Sequence, residues 1–408
     1  MRPRSDRAMR GRVTHLTLDG LCTDLGQSQV LAVSERLQSM GWQCQILSLE
    51  PQSEDPGSLE RLAARMASCG VRWQHRPYFP GRSGALRNAL SMMGMIRNAW
   101  EETDLFHCRS YFGAFFPASA RLLRSAPYVF DTRGYWIDEK IEAGRWFQDP
   151  ASLAVARRVE RTLYNRASGV VSLTELAAED VRQGSFGRPH DAERSICIPT
   201  CVDFERFRLE RDSAPDEFLL HGRVIAYVGS LNASYEYRRS LRLAQLVLER
   251  DPHAKFLALT AQVKEMNAMT DEVGIPRDRR LVRNVGYDEI HQWLPWIDVG
   301  LMLLVQPSRA KRASMPTKLG EFFATGVAPI THGGNTEIAE WVRRAGTGLA
   351  LEDLSDASLD RAADFALSNR TDGARSAHAR HLAEAHFSLD SAVRRYDALF
   401  QSVLSDFN

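Results

Sequence analysis

The chain has 408 residues, a formal net charge of +1, 44% hydrophobic and 25% charged residues. That length exceeds one ordinary core, so two domains of about 200 residues each are expected. The near-neutral charge gives no reason to expect nucleic acid as a partner. The six cysteines (22, 44, 69, 108, 197 and 201) include no Cys-x-x-Cys pair and fit neither a zinc site nor a disulfide framework. The basic start, Met1 to Arg12, is followed by no signal-peptide run, and no apolar stretch reaches a membrane span. A cytoplasmic protein is expected.

Arg12 to Asp19 predicts a strand, Gly20 to Gln29 a glycine-bearing loop running into a helix to Met40, and Gln43 to Leu49 a second strand. This βαβ opening implies a parallel sheet with ligands at the carboxyl ends of its strands. The loop has neither Gly-x-Gly-x-x-Gly nor the Walker spacing, so it is not a dinucleotide fingerprint or a P-loop. Residues 51–100 contain helices rich in Arg, Met and Trp, notably Arg82 to Trp100. The helix Arg82 to Trp100 is amphipathic and basic, which suits either an anionic membrane surface or the outer face of a domain with its methionines in the core. Asp104 to Ser110 predicts a strand ending in His107-Cys-Arg109-Ser-Tyr111. The next strand, Tyr128 to Phe130, delivers Asp131-Thr-Arg133-Gly-Tyr-Trp136-Ile-Asp138-Glu139. Two successive strands ending in charged and aromatic clusters suggest a cleft at their carboxyl edge. The same residues also fit a local Asp131–Arg133 ion pair with His107 as an ordinary core residue.

Ser152 to Arg166 predicts a helix, Gly169 to Leu173 a strand, Thr174 to Gln183 a helix that Thr174 can cap, and Ile196 to Pro199 the last strand of the first half. The first domain is therefore expected over residues 1–207. A charged, proline-bearing linker follows over 208–222, then a second domain over 223–387 and a closing segment over 388–408. The second half restarts with strand Val224 to Val228, the loop Gly229-Ser-Leu-Asn-Ala-Ser-Tyr235 and the helix Arg238 to Arg250. Ala254 to Thr260 predicts a strand, Val282 to Tyr287 leads into the helix Asp288 to Leu294, and Ile297 to Leu304 predicts the strand before a basic loop, Gln306 to Arg312. In Ser314-Met-Pro-Thr-Lys-Leu-Gly-Glu-Phe-Phe-Ala-Thr-Gly326, Ser314 can cap, Pro316 suits a first helical turn and Gly326 stops the helix. Val327 to Thr331 predicts a buried strand, His332 to Asn335 a turn, and Thr336 to Val342 a helix. Gly346 to Leu351 predicts an edge strand, 356–384 helices, and Asp390 to Leu404 a final amphipathic helix.

Lys318 and Glu321 lie three apart and so share one helix face, roughly 4.5 Å apart along the axis. An ammonium near a helix N-terminus is disfavoured unless an anion sits between them, and a carboxylate one turn on can accept from a pair of hydroxyls. Phosphate beside ribose fits this pattern. A solvated helical ion pair worth a few tenths of a kcal/mol fits it too.

The Ser314–Gly326 segment resembles the donor-nucleotide segment of family-4 retaining glycosyltransferases of GT-B fold, in a sub-branch with a Ser-Pro-Thr-Lys-type motif. Asp19-Gly-Leu-Cys-Thr-Asp-Leu-Gly-Gln-Ser-Gln29, the His107-Cys-Arg109-Ser-Tyr111 element, Asp131-Thr-Arg-Gly134 with Glu139 beyond it, and Thr200-Cys-Val-Asp-Phe-Glu-Arg-Phe207 resemble further segments of the same group. The resemblance implies an α/β GT-B architecture of two Rossmann-like domains with parallel sheets facing across a cleft, the last helix crossing back to the first domain. It implies transfer of a sugar from a nucleotide diphosphate-sugar, a UDP-sugar favoured, with retention, no metal and no cofactor. The acceptor is left open among saccharide, lipid-linked and small-molecule classes, as is peripheral contact with the inner membrane face.

The resemblance also implies roles. Lys318 neutralises the departing diphosphate, with Arg238 or Arg239 as a second cation, and Glu321 holds the ribose; Leu319, Gly229 and Ser230 line the donor site. Gly26 and Gln27 meet the diphosphate from the other domain, Val285 and its neighbours meet the base, and His107, Asp131, Arg133 and Glu139 orient the acceptor; Arg109 and Asp131 join Lys318 and Glu321 as catalytic candidates. For Gly26 the residues alone also allow a plain tight turn, and for Arg238 and Arg239 a solvated helix face. Three family positions differ here: Ala313 stands where a first glutamate is usual, Arg109 where a second, active-site histidine is usual, and Ser230 where a phosphate arginine is usual. A sugar-nucleotide epimerase or hydrolase of the same fold, and a non-catalytic nucleotide-sugar-binding partner, are the alternatives.

Overall fold

The computed structural model describes residues 9–51, 57–120, 126–144, 146–147, 149–231, 235–305, 308–333, 336–368 and 373–407. The chain forms two compact units, Met1–Pro199 with Leu389–Asn408, and Thr200–Ser388. Each is a parallel sheet wrapped by helices.

The first unit carries β1 Gly11–Thr17, β2 Trp42–Glu50, β3 Arg72–Pro77, β4 Leu105–Arg109, β5 Tyr128–Asp131, β6 Gly169–Ser172 and β7 Ser195–Cys197. Their order is β3-β2-β1-β4-β5-β6-β7, every pairing parallel. The order reverses between β1 and β4, where a doubly wound sheet opens a crevice at its strand carboxyl ends. The inner strands β5 and β6 read as near-continuous apolar runs because both faces are covered. The connecting helices are α1 Asp24–Gly26, α2 Ala32–Ser39, α3 Gly57–Cys69, α4 Gly81–Ala99, α5 Ser110–Ala120, α6 Trp136–Glu142, α7 Pro150–Arg166 and α8 Glu175–Arg182. A short π-helical stretch, Gln27–Leu31, joins α1 to α2. Thr174 caps α8 by accepting from the Ala177 N–H at 3.1 Å.

The second unit carries β8 Val224–Val228, β9 Lys255–Leu259, β10 Arg280–Arg283, β11 Val299–Met302, β12 Ala328–His332 and β13 Leu349–Leu351, in the order β10-β9-β8-β11-β12-β13. Its reversal lies between β8 and β11. Its helices are α9 Tyr237–Arg250, α10 Val263–Val273, α11 Ile290–Trp293, α12 Thr317–Thr325, α13 Glu337–Ala345, α14 Asp356–Ser368 and α15 Gly373–Phe387. Packing on β11 is close: a Cβ on Gly300 would come within 2.5 Å of the Phe322 ring of α12. Gly326 ends α12 in the left-handed region at φ +78°.

The structure corrects several expectations. The segment 51–100 contains helices, α3 and α4, and between them a strand the sequence did not announce, the edge strand β3 at Arg72–Pro77. Its Arg-Trp-Gln-His-Arg-Pro sequence lacks the apolar alternation of a strand, because an edge position demands little burial. Ser314 does not cap α12; its hydroxyl donates to the Ala310 carbonyl at 3.3 Å, and the helix opens at Thr317 after an extended Pro316. The domain boundary falls at Pro199, not at residue 207. Residues 200–222 join the second unit because their backbone is tied there: Arg380 donates to the carbonyls of Phe204 and Phe207, and the Val202 N–H to Phe387 O at 2.8 Å. The closing helix, Leu389–Ser405, belongs to the first unit. Parts of the expected segments at 1–12, 51–100, 229–235, 306–312, 332–335 and 356–384 lie outside the described residues. Among the described residues no helix is long and apolar enough to cross a membrane.

Candidate active site

In the first unit, charged and imidazole groups gather at the carboxyl ends of β1, β4 and β5. Register places His15 of β1 opposite His107 of β4, and Arg109 of β4 opposite Asp131 of β5. The Nδ1 atoms of His15 and His107 are 2.7 Å apart, and His107 Nε2 lies 3.3 Å from Asp131 Oδ2. The same carboxylate oxygen accepts from Arg133 at 2.6 Å and from the Tyr396 hydroxyl of the closing helix at 2.9 Å. Arg133 also donates to the Tyr396 oxygen at 2.7 Å. Arg109 is 5% exposed and donates through Nε to Asp19 Oδ2 at 2.5 Å.

Asp131 is fully buried. Burial opposes its ionisation, but the Arg133 charge and the His107 hydrogen bond overcome that and hold it well below the usual carboxylate range. Burial, with the second imidazole adding, holds His15 well below the ordinary histidine range; burial also lowers His107, against the pull of Asp131. The assembly is therefore two carboxyl groups, Asp131 and Asp19, each paired with a guanidinium, and two neutral imidazoles. Backbone strain accompanies it: Ser110 (φ +69°), directly after β4, and Arg133 (φ +56°), just past β5, occupy the left-handed region. For non-glycine residues that conformation costs about 1–3 kcal/mol and persists where surrounding structure enforces it. Glu139, on α6, rests its carboxylate over Gly134: a Cβ there would come within 2.5 Å of Oε1.

The β1–α1 turn closes on its own hydrogen bonds. Gly26 donates its N–H to Thr23 Oγ1 at 3.1 Å, and Gln27 donates its N–H to the Thr23 carbonyl at 2.9 Å. Both amides are thus bonded within the turn. A Cβ on Gly26 would fall 2.1 Å from the Gly20 carbonyl oxygen, so closure of the turn itself demands the glycine.

In the second unit, Lys318 Nζ lies 2.7 Å from Glu321 Oε2 at the start of α12. Lys318 is partly exposed, whereas Glu321 is 4% exposed. This is not the solvated pair that three-residue spacing alone would allow. Two phenols sense the Glu321 charge. Burial with Glu321 pushes Tyr235 up to about 12, and burial, against Arg206 and with Glu321, pushes Tyr287 up to about 12. Tyr235 pairs with Leu304 by an antiparallel bridge just past β11. The Arg206 guanidinium stacks on the Tyr287 ring at 4.2 Å. Gly229 ends β8 at φ +136° with no atom within 4 Å of where a Cβ would stand. The Ser230 carbonyl accepts from Tyr227 OH at 2.9 Å. Leu319 is a core residue of α12, and Val285 is buried beside Gly286, whose Cβ direction is open. His332 donates from Nδ1 to the Leu304 carbonyl at 3.1 Å, while its buried Nε2 has no partner among the described residues.

Arg238 and Arg239 sit elsewhere on α9, exposed and paired with Glu272 at 2.9 Å and Asp356 at 3.1 Å. Their placement gives no support to a phosphate role. Among the described residues no group of three or more His, Cys, Asp or Glu side chains could hold a metal ion.

Sequence reasoning did not single out His15, Asp19, Tyr396, Tyr235, Tyr287, Arg206 or His332. For His15 a signal existed, since it lies two residues before the end of the strand that pairs with β4. Nothing in the sequence announces Tyr396, which arrives from the far end of the chain.

Two parallel sheets, each with the reversal of a Rossmann-like domain, make the fold that of GT-B glycosyltransferases. Within it, residues 26–194 match the family model described as a glycosyl transferase 4-like domain. In structure the chain is similar to sucrose-phosphate synthase from Thermosynechococcus elongatus, at 13% identity and a TM-score of 0.72, with 97% of this chain and 100% of that chain covered. It is similar to Anabaena HepE in complex with UDP and glucose, at 13% identity and a TM-score of 0.69, covering 96% and 100%. It is also similar to WaaG, a glycosyltransferase involved in lipopolysaccharide biosynthesis, at 15% identity and a TM-score of 0.67, covering 94% and 98%. No curated protein matches the chain in sequence.

Proposed function

We propose that the chain is a glycosyltransferase of the family-4 type that moves a sugar from a nucleotide diphosphate-sugar to a saccharide, lipid-linked or small-molecule acceptor, with retention and without a metal. The observation that carries this reading is the match of residues 26–194 to a glycosyl transferase 4-like domain. The UDP and UDP-glucose complexes of the structurally similar HepE favour a UDP-sugar as donor.

In this reading the second unit holds the donor. The Lys318 ammonium, at the positive end of α12, meets the negative charge that grows on the leaving diphosphate. Glu321, released from Lys318 by the competing phosphate, accepts from two ribose hydroxyls. Glu321 is itself buried, which strengthens both interactions. The base lies along Val285 and Gly286. The first unit holds the acceptor, with Asp131 fixing Arg133 and His107 in place.

Calorimetry with UDP-, GDP- and dTDP-glucose tests the donor assignment. UDP-glucose is expected to bind, and Glu321→Gln to weaken it at least tenfold, about 1.4 kcal/mol. Unchanged affinity in that variant removes Glu321 from the donor site. Incubation with UDP-glucose alone separates the alternatives: epimer or free sugar formed without an acceptor points to an epimerase or hydrolase, and donor binding with no turnover across an acceptor panel to a non-catalytic partner.

We also propose that α4 rests on an anionic membrane surface, as a lipid-linked acceptor would require. Met92 and Met95 go into the core as expected, but Leu86, Leu90 and Met93 form an outer stripe 69%, 54% and 48% exposed. Arg87 and Arg97 flank it, and the helix carries no acidic residue. An apolar stripe with only positive charge beside it suits the interface of an anionic bilayer.

A further inference from the structure

Leu16, Thr17, Gln29 and Val30 join His15, His107 and Arg109 around a small cavity at the β1–β4 reversal of the first unit, roughly large enough for one water oxygen. Two buried polar atoms of these lining residues have no partner among the described residues: His15 Nε2 and Arg109 Nη1, on residues 2% and 5% exposed. Left unmet, each such atom would carry its full desolvation penalty.

The proton inventory fixes what each atom offers. Asp131 is ionised, so His107 Nε2 carries the hydrogen shared with it. A neutral His107 then has a bare Nδ1, and the 2.7 Å contact requires His15 Nδ1 to donate to it. His15 Nε2 is left as an acceptor, while Arg109 Nη1 is a charged donor. An anion or a carbonyl would satisfy Arg109 but has no hydrogen for His15. An ammonium would be repelled by Arg109. A group with one hydrogen to give and a lone pair to receive satisfies both.

We infer that this cavity is a hydroxyl site: one O–H donates to His15 Nε2 and accepts from Arg109 Nη1, and the hydroxyl belongs either to a resident water or to a saccharide ligand. Asp131 and His107 act through His15, holding its tautomer, and are positioning residues for this site. Only the saccharide source rests on the reading of the first unit as the acceptor unit.

The test is histidine 15N NMR of the full chain at neutral pH, with the His15 signals assigned from a His15→Phe variant. The site requires His15 in the Nδ1–H tautomer with Nε2 shifted upfield as a hydrogen-bonded acceptor. Addition of glucose then identifies the source: movement of Nε2 assigns a saccharide hydroxyl, and an unmoved but hydrogen-bonded Nε2 assigns water, each supporting the site. Arg109→Lys should shift the Nε2 signal towards the unbonded position, because the hydroxyl loses its second hold. A hydrogen on Nε2, a bare unbonded Nε2 in the native chain, or no response to Arg109→Lys overturns the assignment. None of these readouts uses the donor or measures transfer, so failure here and failure of the glycosyltransferase reading remain separate.

Discussion

His15 and His107 share a single hydrogen between their Nδ1 atoms, 2.7 Å apart, on neighbouring parallel strands in direct register. Protonating both rings would set two N–H groups against each other beside Arg109 and Arg133. The pair is therefore an acid-sensitive joint in the core of the first unit.

Stability should respond accordingly. Both histidines have their folded-state values depressed, by burial first. The unfolded chain takes up protons below about pH 6.5 that the folded chain refuses, so stability is full above that value and falls as pH drops, by up to about 1.4 kcal/mol per pH unit for each ring. Asp131 titrates much lower and does not contribute in this window. His190 and His291 share the direction through burial, so the decisive measurement is the slope of urea-unfolding stability from pH 6.5 to 5 in the native chain against His15→Asn. An equal slope in both would exclude the pair as its source.

Lys318 and Glu321 should not be equivalent in stability. Lys318→Met leaves the buried Glu321 carboxylate without its cation and is expected to cost about 1–3 kcal/mol. Glu321→Gln leaves an ammonium that can reach water and is expected to cost less. Urea midpoints of the two variants rank them, and the reverse order would show that Glu321 draws its compensation elsewhere.

Tyr396→Phe removes one hydroxyl that donates to Asp131 and accepts from Arg133. Hydrogen bonds to charged groups make a net contribution of about 1.5–3 kcal/mol. Calorimetric unfolding should show a loss in that range with the phenyl ring still packed against His107 at 4.9 Å.

Two glycines give a contrast. Gly26→Ala drives a Cβ onto the Gly20 carbonyl oxygen and is expected to lower stability by more than about 1 kcal/mol. Gly286→Ala meets nothing and should be near neutral in stability. If Gly286→Ala nevertheless weakens UDP-glucose binding, the base lies against it; unimpaired binding would move the base away from that turn.

For α4, sedimentation with vesicles of phosphatidylglycerol and of phosphatidylcholine reads the membrane proposal. The native chain should pellet with the anionic lipid, more weakly at high salt. Leu86→Glu with Leu90→Glu should abolish pelleting without changing the unfolding midpoint, as both side chains are exposed. Equal pelleting with both lipids would argue against a charge-selective contact.

The fold was largely legible because parallel, doubly covered strands write themselves as apolar runs punctuated by Gly, Asp and His. The Thr174 cap and the Gly326 stop were readable one residue at a time. β3 was not, since an edge strand with Arg72, Gln74 and Arg76 carries no apolar alternation. His107, Arg109, Asp131 and Arg133 could be picked out as strand-end residues, but not that His15 and Tyr396 complete their bonding, because pairing across strands and from the last helix is three-dimensional information. Gly26 shows the converse: a glycine readable as a ligand cradle is required by the turn's own carbonyl.

The closing helix gives the first unit an unusual birth order. Asp131 waits for the Tyr396 hydroxyl, and Asp397 takes bonds from Arg10 and from Trp42 Nε1 at 2.8 Å. On the ribosome all of Thr200–Ser388 is made in between, on the order of ten seconds or more at usual elongation rates. Until then the nascent first unit holds its carboxylate half-compensated and its Trp42 uncovered. Release of a chain truncated before Leu389 should therefore yield a protease-sensitive fragment, while the later-made unit, contiguous in sequence, reaches its native form first.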